Sequence, residues 1–324
     1  MPKYWMISNR APTTPDELGR SRGPLTYWTA DTPGLHKLSR WRPVPNAAAF
    51  QTLIAAAADE FPSVPESRQT EQRHVTLFVH GYNNTWSEAA ERYEQLCRSL
   101  YTGPDSLGLC VLFTWPSNGN VYGYLPDRED ARATAPDLAG VLNTLYDWML
   151  RKQHEAALPD GAPCKAKTSV LAHSMGNYVL QNAMQYAWTR NNQPLLVSLV
   201  NQLVMIAADV DNDLFASGER QTSSDGDAIA NLTYRITALY SGRDDVLGVS
   251  AGLKHFGKRR LGRSGLDRTQ PLPDNVWDAD CSKFFTANKR DIHSAYFETK
   301  KTLELVRDVL TGVDRGILKT KYGV

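Results

Sequence analysis

Short runs of this chain hold side chains able to serve as nucleophile, base and acid in acyl transfer. They are His80-Gly81-Tyr82-Asn83-Asn84, His173-Ser174-Met175-Gly176-Asn177, Asp209-Val210-Asp211, Ser241-Gly242-Arg243-Asp244-Asp245 and the late His293. A serine hydroxyl attacks a carbonyl at neutral pH only when a neighbouring base takes its proton. An acidic side chain then keeps the imidazole in the right tautomer and stabilises imidazolium. The three residue types follow one another in the order Ser, Asp, His, as they do where the nucleophile sits on a sharp strand-to-helix turn.

Pattern matching alone would choose a different serine. The strict Gly-x-Ser-x-Gly pattern occurs at Gly19–Gly23 and at Gly248–Gly252. The chemistry requires strand, sharp turn and helix around the serine. Ser21 follows Thr14-Pro15-Asp16-Glu17-Leu18, which does not read as a strand, and too few strands remain after Ser250 to supply an acid. Ala172-His173-Ser174-Met175-Gly176 has alanine at the first small position. It nevertheless has an apolar strand before it and a helix-period run behind it (Val179, Leu180, Ala183, Met184, Ala187, Trp188). A serine at a helix start is often only an N-cap; the ordered histidine, aspartate and His80-Gly81 set Ser174 apart as the candidate nucleophile.

His36, His74, His80, His154 and His173 precede every candidate acid, which leaves His255 and His293 as bases. His255 lies in a basic, glycine-rich loop, whereas His293 stands before the terminal helix, so His293 is the candidate. Asp244 and Asp245 both follow the penultimate strand, and spacing does not separate them. Asp209 and Asp211 end a strand as well. The oxyanion requires backbone donors, and the N–H groups of Met175 and Tyr82 occupy the expected positions, after the nucleophile and after the early strand.

Five nearly continuous apolar runs (Val75–Val79, Leu109–Trp115, Ser169–Ala172, Leu203–Ala208, Leu232–Tyr240) alternate with helix-period stripes such as Leu138, Val141, Leu142, Leu145, Trp148 and Met149. Continuous apolar runs suit strands covered on both faces. Their alternation with helices predicts a doubly wound, mostly parallel sheet, whose ligands lie beyond the carboxyl ends of the strands. Residues 1–70 form an N-terminal extension, expected to pack on the core, with a strand-like start (Tyr4–Ser8) and an alanine-rich helix (Ala47–Ala58). Residues 71–324 form the α/β domain.

With 36 Lys+Arg against 35 Asp+Glu, the chain lacks the basic excess of a nucleic-acid-binding protein. The local basic cluster Lys254–Arg263 reads more readily as a solvated loop than as a contact for an anionic substrate. The cysteines (Cys97, Cys110, Cys164, Cys281) show no metal spacing. Asp209-x-Asp211-x-Asp213 fails as a calcium loop, because Leu214 and Arg220 stand where glycine and glutamate are needed. No dinucleotide, phosphate-loop or zinc-protease motif occurs, so no cofactor and no metal is expected. No run is long enough to span a membrane, and the first apolar run is too short for a signal-peptide core. A cytoplasmic protein is expected, its oligomeric state open.

These motifs resemble those of bacterial α/β-hydrolases, in a branch of the esterase/lipase superfamily known as a domain of unknown function. The likeness is carried by Phe78–Asn83, Phe113–Ser117, Tyr124-x-x-Asp127-Arg128-Glu129-x-Ala131, Ala172–Asn177, Ala208–Asp211, Tyr240-Ser241-x-x-Asp244 and His293-x-x-Tyr296-Phe297. The resemblance implies the α/β-hydrolase fold and a Ser174–Asp244–His293 triad, although a generic hydrolase pattern would select Asp245. The expectation is a serine hydrolase that cleaves a carboxylic ester or thioester of a small-molecule acyl substrate. An amidase or peptidase with the same triad is one alternative, and a non-catalytic scaffold another. Pocket walls would come from Asn118–Pro126, Ser217–Asp227 and the basic loop.

Overall fold

The computed structural model of the chain describes residues 2–117, 124–156, 158, 165–191, 198–216, 225–254 and 257–324. Two compact units divide it, residues 1–169 and 170–324.

The first unit begins with a long hairpin, β1 (Tyr4–Thr14) and β2 (Glu17–Ala30), followed by the short β3 (Arg42–Val44). Then come α1 (Ala47–Asp59), β4 (Arg73–Val79), α2 (Trp86–Leu100), β5 (Gly108–Thr114) and α3 (Tyr124–Ala156). Their strands lie in the order β3-β2-β1-β5-β4. β1 pairs parallel with β5, from Trp5↔Val111 to Ser8↔Thr114, and β5 parallel with β4. β2 and β3 add on antiparallel. The N-terminal strand thus runs beyond the Tyr4–Ser8 expected from its apolar residues.

β2 and β3 were not expected at all. The first half of β2 contains Gly19, Gly23 and Pro24, which weaken a strand reading, although Thr26, Tyr27, Trp28 and Thr29 in its second half are strand-forming residue types. Pairing to β1 imposes the extended form: a Cβ on Gly23 would lie 3.1 Å from Ala11 Cα. Ser21 therefore sits inside a strand that continues to Ala30, with no strand-to-helix turn around it.

Helix starts in this unit follow their sequence signals. Asn46 accepts the Ala49 N–H at 2.9 Å ahead of α1, and Thr85 with Glu88 forms a reciprocal capping box ahead of α2. Between α1, α3 and the sheet lies an apolar cavity of about 270 Å³, walled by Ile7, Phe50, Leu77, Val111 and Leu145, with Gly140 at its edge.

The second unit takes in the end of β6 (Ala166–His173), then α4 (Gly176–Asn191), β7 (Val200–Ile206), α5 (Asp225–Leu232) and β8 (Thr233–Tyr240). α6 (Asp245–Val249), α7 (Leu261–Ser264), β9 (Val276–Asp280), α8 (Ile292–Ala295), α9 (Lys300–Leu310) and α10 (Arg315–Tyr322) complete it. The strands follow the order β6-β7-β8-β9, with β8 parallel to both neighbours. β7 stops at Ile206, two residues before the end of its apolar run, because Ala207 turns to φ +45°. β9 escaped the sequence pattern because Asp278 and Asp280 interrupt it. Among the described residues, no helix is long and apolar enough to cross a membrane.

Gly140 offers a check on the cavity. A Cβ there meets nothing within 4 Å, and alanine favours helix over glycine by about 1 kcal/mol. Gly140→Ala should raise unfolding free energy by ~0.5–1 kcal/mol in a urea titration; a loss of stability would mean that the space is not open.

Candidate active site

Ser174 follows β6 directly, at φ +53°. That left-handed backbone costs an ordinary residue about 1–2 kcal/mol and must be held by its surroundings. Its N–H donates to Ile206 O at 2.9 Å, and its carbonyl accepts the Asp209 N–H at 3.2 Å and the Asn177 N–H at 3.1 Å. The Asn177 side-chain amide donates to Ala172 O at 2.9 Å and Ser174 O at 3.1 Å, bridging the turn. Met175 comes next, and α4 starts at Gly176. Strand, tight turn and helix surround this serine.

Asp244 stands after β8 at the N-cap of α6, where its Oδ1 accepts the Leu247 N–H at 3.0 Å. Its second oxygen takes the Nδ1–H of His293 at 2.8 Å, and the other ring nitrogen of His293, Nε2, lies 2.8 Å from Ser174 Oγ. With Nδ1 protonated toward the carboxylate, Nε2 accepts the serine hydroxyl proton. Asp244 is fully buried, whereas the Asp245 side chain is 88% exposed and faces Arg263 at 3.5 Å. Capping turns one aspartate inward and leaves its neighbour in water, a distinction invisible in their spacing.

The remaining strand-end acids have other partners. Asp209, 2% exposed, accepts Arg260 Nε at 2.8 Å and the Ser250 hydroxyl at 3.0 Å. Asp211 meets Arg260 and, at 3.2 Å, Lys258. The expectation of a solvated basic loop therefore fails at Arg260, which is 1% exposed. The physical reason is Asp209: a carboxylate buried at a strand end requires a cation beside it. Neighbouring Gly262 donates to Ala208 O at 2.9 Å and accepts from Ser241 N, tying together the ends of β7 and β8. Any Cβ there would lie 2.2 Å from Ala207 C. Arg263 donates to the carbonyl of Asp244.

Sequence reasoning missed two supports. The ring of His173 donates through Nε2 to the His293 carbonyl at 2.9 Å and packs 4.9 Å from the His293 ring. Arg243 donates to the carbonyls of Phe285, Thr286 and Ala287 at 2.8, 2.9 and 3.1 Å, locking the segment ahead of His293 to the turn that bears Asp244. Both residues lie in motifs singled out for their neighbours, and no local signal marks their own partners.

In the first unit, Tyr82 follows β4, its ring edge-on to Tyr124 at 5.4 Å. Nearby His80 stacks on Trp115, and burial, reinforced by the Arg10 charge, holds its pKa well below the usual imidazole range. His255, residues 118–123 and residues 217–224 lie outside the described residues. Among the described residues, no cluster of histidine, cysteine or carboxylate side chains suits a metal ion.

A family model described as alpha/beta hydrolase of unknown function (DUF900) matches residues 59–304. The chain belongs to this family. An uncharacterized protein of Nostoc sp. (strain PCC 7120), alr1448, is 22% identical to this chain over 302 residues, covering 74% of each chain. Among solved structures, Aspergillus fumigatus lipase B is similar over 98% of this chain and 68% of its own, at 14% identity and a TM-score of 0.43. A Pyrobaculum calidifontis esterase is similar over 94% and 86%, at 11% identity and a TM-score of 0.37.

The Arg260–Asp209 pair yields a stability prediction for this alpha/beta hydrolase. Arg260→Ala strips a buried carboxylate of its guanidinium and should cost about 3–5 kcal/mol in chemical denaturation. A change below ~1 kcal/mol would show that the pair does not hold β7 and α7 together.

Proposed function

We propose that the protein is a serine hydrolase acting on a carboxylic ester or thioester through an acyl-enzyme on Ser174. The observation that carries this reading is the unbroken series Ser174 Oγ, His293 Nε2, His293 Nδ1, Asp244 Oδ2, with 2.8 Å at each hydrogen bond. Its burial and the left-handed Ser174 backbone support it further.

In the mechanism, His293 Nε2 takes the hydroxyl proton as Ser174 Oγ attacks the carbonyl carbon. Asp244 holds the ring in that tautomer and stabilises the imidazolium. The oxyanion is met by the backbone N–H of Met175, the residue after the nucleophile. His293 then protonates the departing alcohol or thiol. Water, deprotonated by the same imidazole, attacks the acyl-enzyme and releases the acid. The substrate is a small-molecule acyl compound, and the chemistry needs no cofactor.

A fluorophosphonate probe tests the nucleophile. Wild-type protein should label with one adduct mapped to Ser174, and Ser174→Ala should not label; undiminished labelling of that variant would sink the assignment. A panel of esters, thioesters and amides then separates the esterase from an amidase.

The acid is tested separately. Asp244→Asn should lower kcat by about 10⁴-fold by favouring the wrong tautomer, with Asp245→Asn within ~2-fold of wild type. The reverse ranking in steady-state kinetics would transfer the role to Asp245.

A further inference from the structure

His293, the base of the proposed reaction, sits on α8, a single turn of four residues. A helix this short leaves its last carbonyls without intrahelical partners. The Phe297 N–H, which would reach the His293 carbonyl in a longer helix, donates to Ser294 O instead, at 3.3 Å. The His293 carbonyl is taken by the side chain of His173, whose Nε2 lies 2.9 Å away and 120 positions earlier in the chain. A carbonyl only accepts, so that nitrogen carries the proton. His173 is the last residue of β6, is 1% exposed, and leads directly into Ser174.

Further contacts hold the same ring. It packs against the His293 ring with centroids 4.9 Å apart, and it meets the Phe297 ring edge-on at 5.1 Å. All of these residues belong to the second unit.

Nucleophile and base are therefore joined twice. One link is the bond from Ser174 Oγ to His293 Nε2 at 2.8 Å, which changes as the proton moves. The other runs from the Ser174 peptide through the His173 side chain to the backbone of His293, and no reacting atom belongs to it. Asp244 orients the imidazole from its Nδ1 side, at 2.8 Å, but a bond to the ring does not fix the backbone that carries it. That backbone has no strand of its own, and the strand bearing the nucleophile supplies its fixed point. Displacing a reacting group by about 1 Å can cost ~10²-fold in rate.

The geometry points to His173 as a positioning residue for the base: its Nε2–H bond to the His293 carbonyl sets where the imidazole stands relative to Ser174. The inference rests on the serine-hydrolase reading, in which His293 takes the Ser174 proton.

The test uses the full-length chain and a fluorophosphonate probe, read in two ways. The end point counts competent Ser174 sites. The time course at several probe concentrations gives the maximal labelling rate and the half-saturating concentration of those sites. His173→Gln keeps a donor near the position of Nε2. His173→Asn is one bond shorter and falls short of the carbonyl, while His173→Phe keeps the ring packing and cannot donate. His173→Phe and His173→Asn should label about 10- to 100-fold more slowly per site, with the half-saturating concentration within ~2-fold of wild type. His173→Gln should stay within ~3-fold of the wild-type rate, because its amide replaces the donor. A donor that served only to satisfy a buried carbonyl would change stability and the number of sites, not the rate at each. Rates per site within ~2-fold of wild type in His173→Phe and His173→Asn, with wild type labelled, overturn this inference alone. An equal loss in His173→Gln overturns it as well, since ring packing would then be the cause. Failure of wild type to label at Ser174 overturns the hydrolase reading and this inference with it. Should His173→Phe not accumulate, the contrast between His173→Gln and His173→Asn decides.

Discussion

The second unit is organised around a backbone that would not persist unaided. Ser174 is left-handed at φ +53°, and Ala207, one residue past the neighbouring strand, is left-handed at φ +45°. The two distortions support each other. Ile206 O receives the Ser174 N–H and Asp209 N binds Ser174 O, so the chain around Ala207 clasps the serine turn from both sides. Ala207 N is held in turn by Leu239 O of β8, and Gly262 backs the following peptide through Ala208 O. Strain of this kind survives only where neighbours over-determine it. Here the neighbours are the ends of adjacent parallel strands, whose hydrogen-bonding groups no longer serve the ladder.

The same strand ends carry acidic side chains, and their division of labour follows from which partner each one has. Asp209 accepts from Arg260 and Ser250, a cation and a hydroxyl, through one oxygen, Oδ1. Asp244 divides its oxygens between a helix N-terminus and an imidazole. The Leu247 N–H restrains the carboxylate, leaving the second oxygen aimed at His293. A base oriented by an acid that is itself oriented keeps its geometry through proton transfer, whereas an exposed carboxylate such as Asp245 would rotate and remain solvated.

Much of this arrangement was legible in the sequence, for identifiable reasons. Strands covered on both faces write themselves as continuous apolar runs, so β4, β5, β6 and β8 and the residues after them could be located. Ser174 stood out as the candidate nucleophile, despite the alanine at position 172, because strand and helix flank it. Asp244 and Asp245 were inseparable by spacing, since adjacent residues differ only in which way a cap turns them; family resemblance, not geometry, separated them. β2 and β9 were missed because glycine and proline interrupt the first half of one and aspartates interrupt the other. Arg260 was visible as charge but not as a partner for Asp209, because composition does not report a contact made 51 positions away in the chain.

Those long-range contacts give the near-neutral charge a further meaning. The chain holds almost equal numbers of basic and acidic residues, yet several arginines are spent on backbone carbonyls. Arg10 takes Gly19 O and Asn84 O, Arg243 takes Phe285 O to Ala287 O, Arg260 takes Asp209 O and Arg263 takes Asp244 O. Loops that leave a sheet carry carbonyls without ladder partners, and each needs a donor. A guanidinium offers five in a rigid plane, so one side chain can tie several peptides in fixed relation where lysine offers a single mobile centre. Proton transfer and oxyanion stabilisation depend on sub-ångström placement of loop atoms. Arginines used in this way supply rigidity to segments that have no secondary structure of their own, within each unit separately.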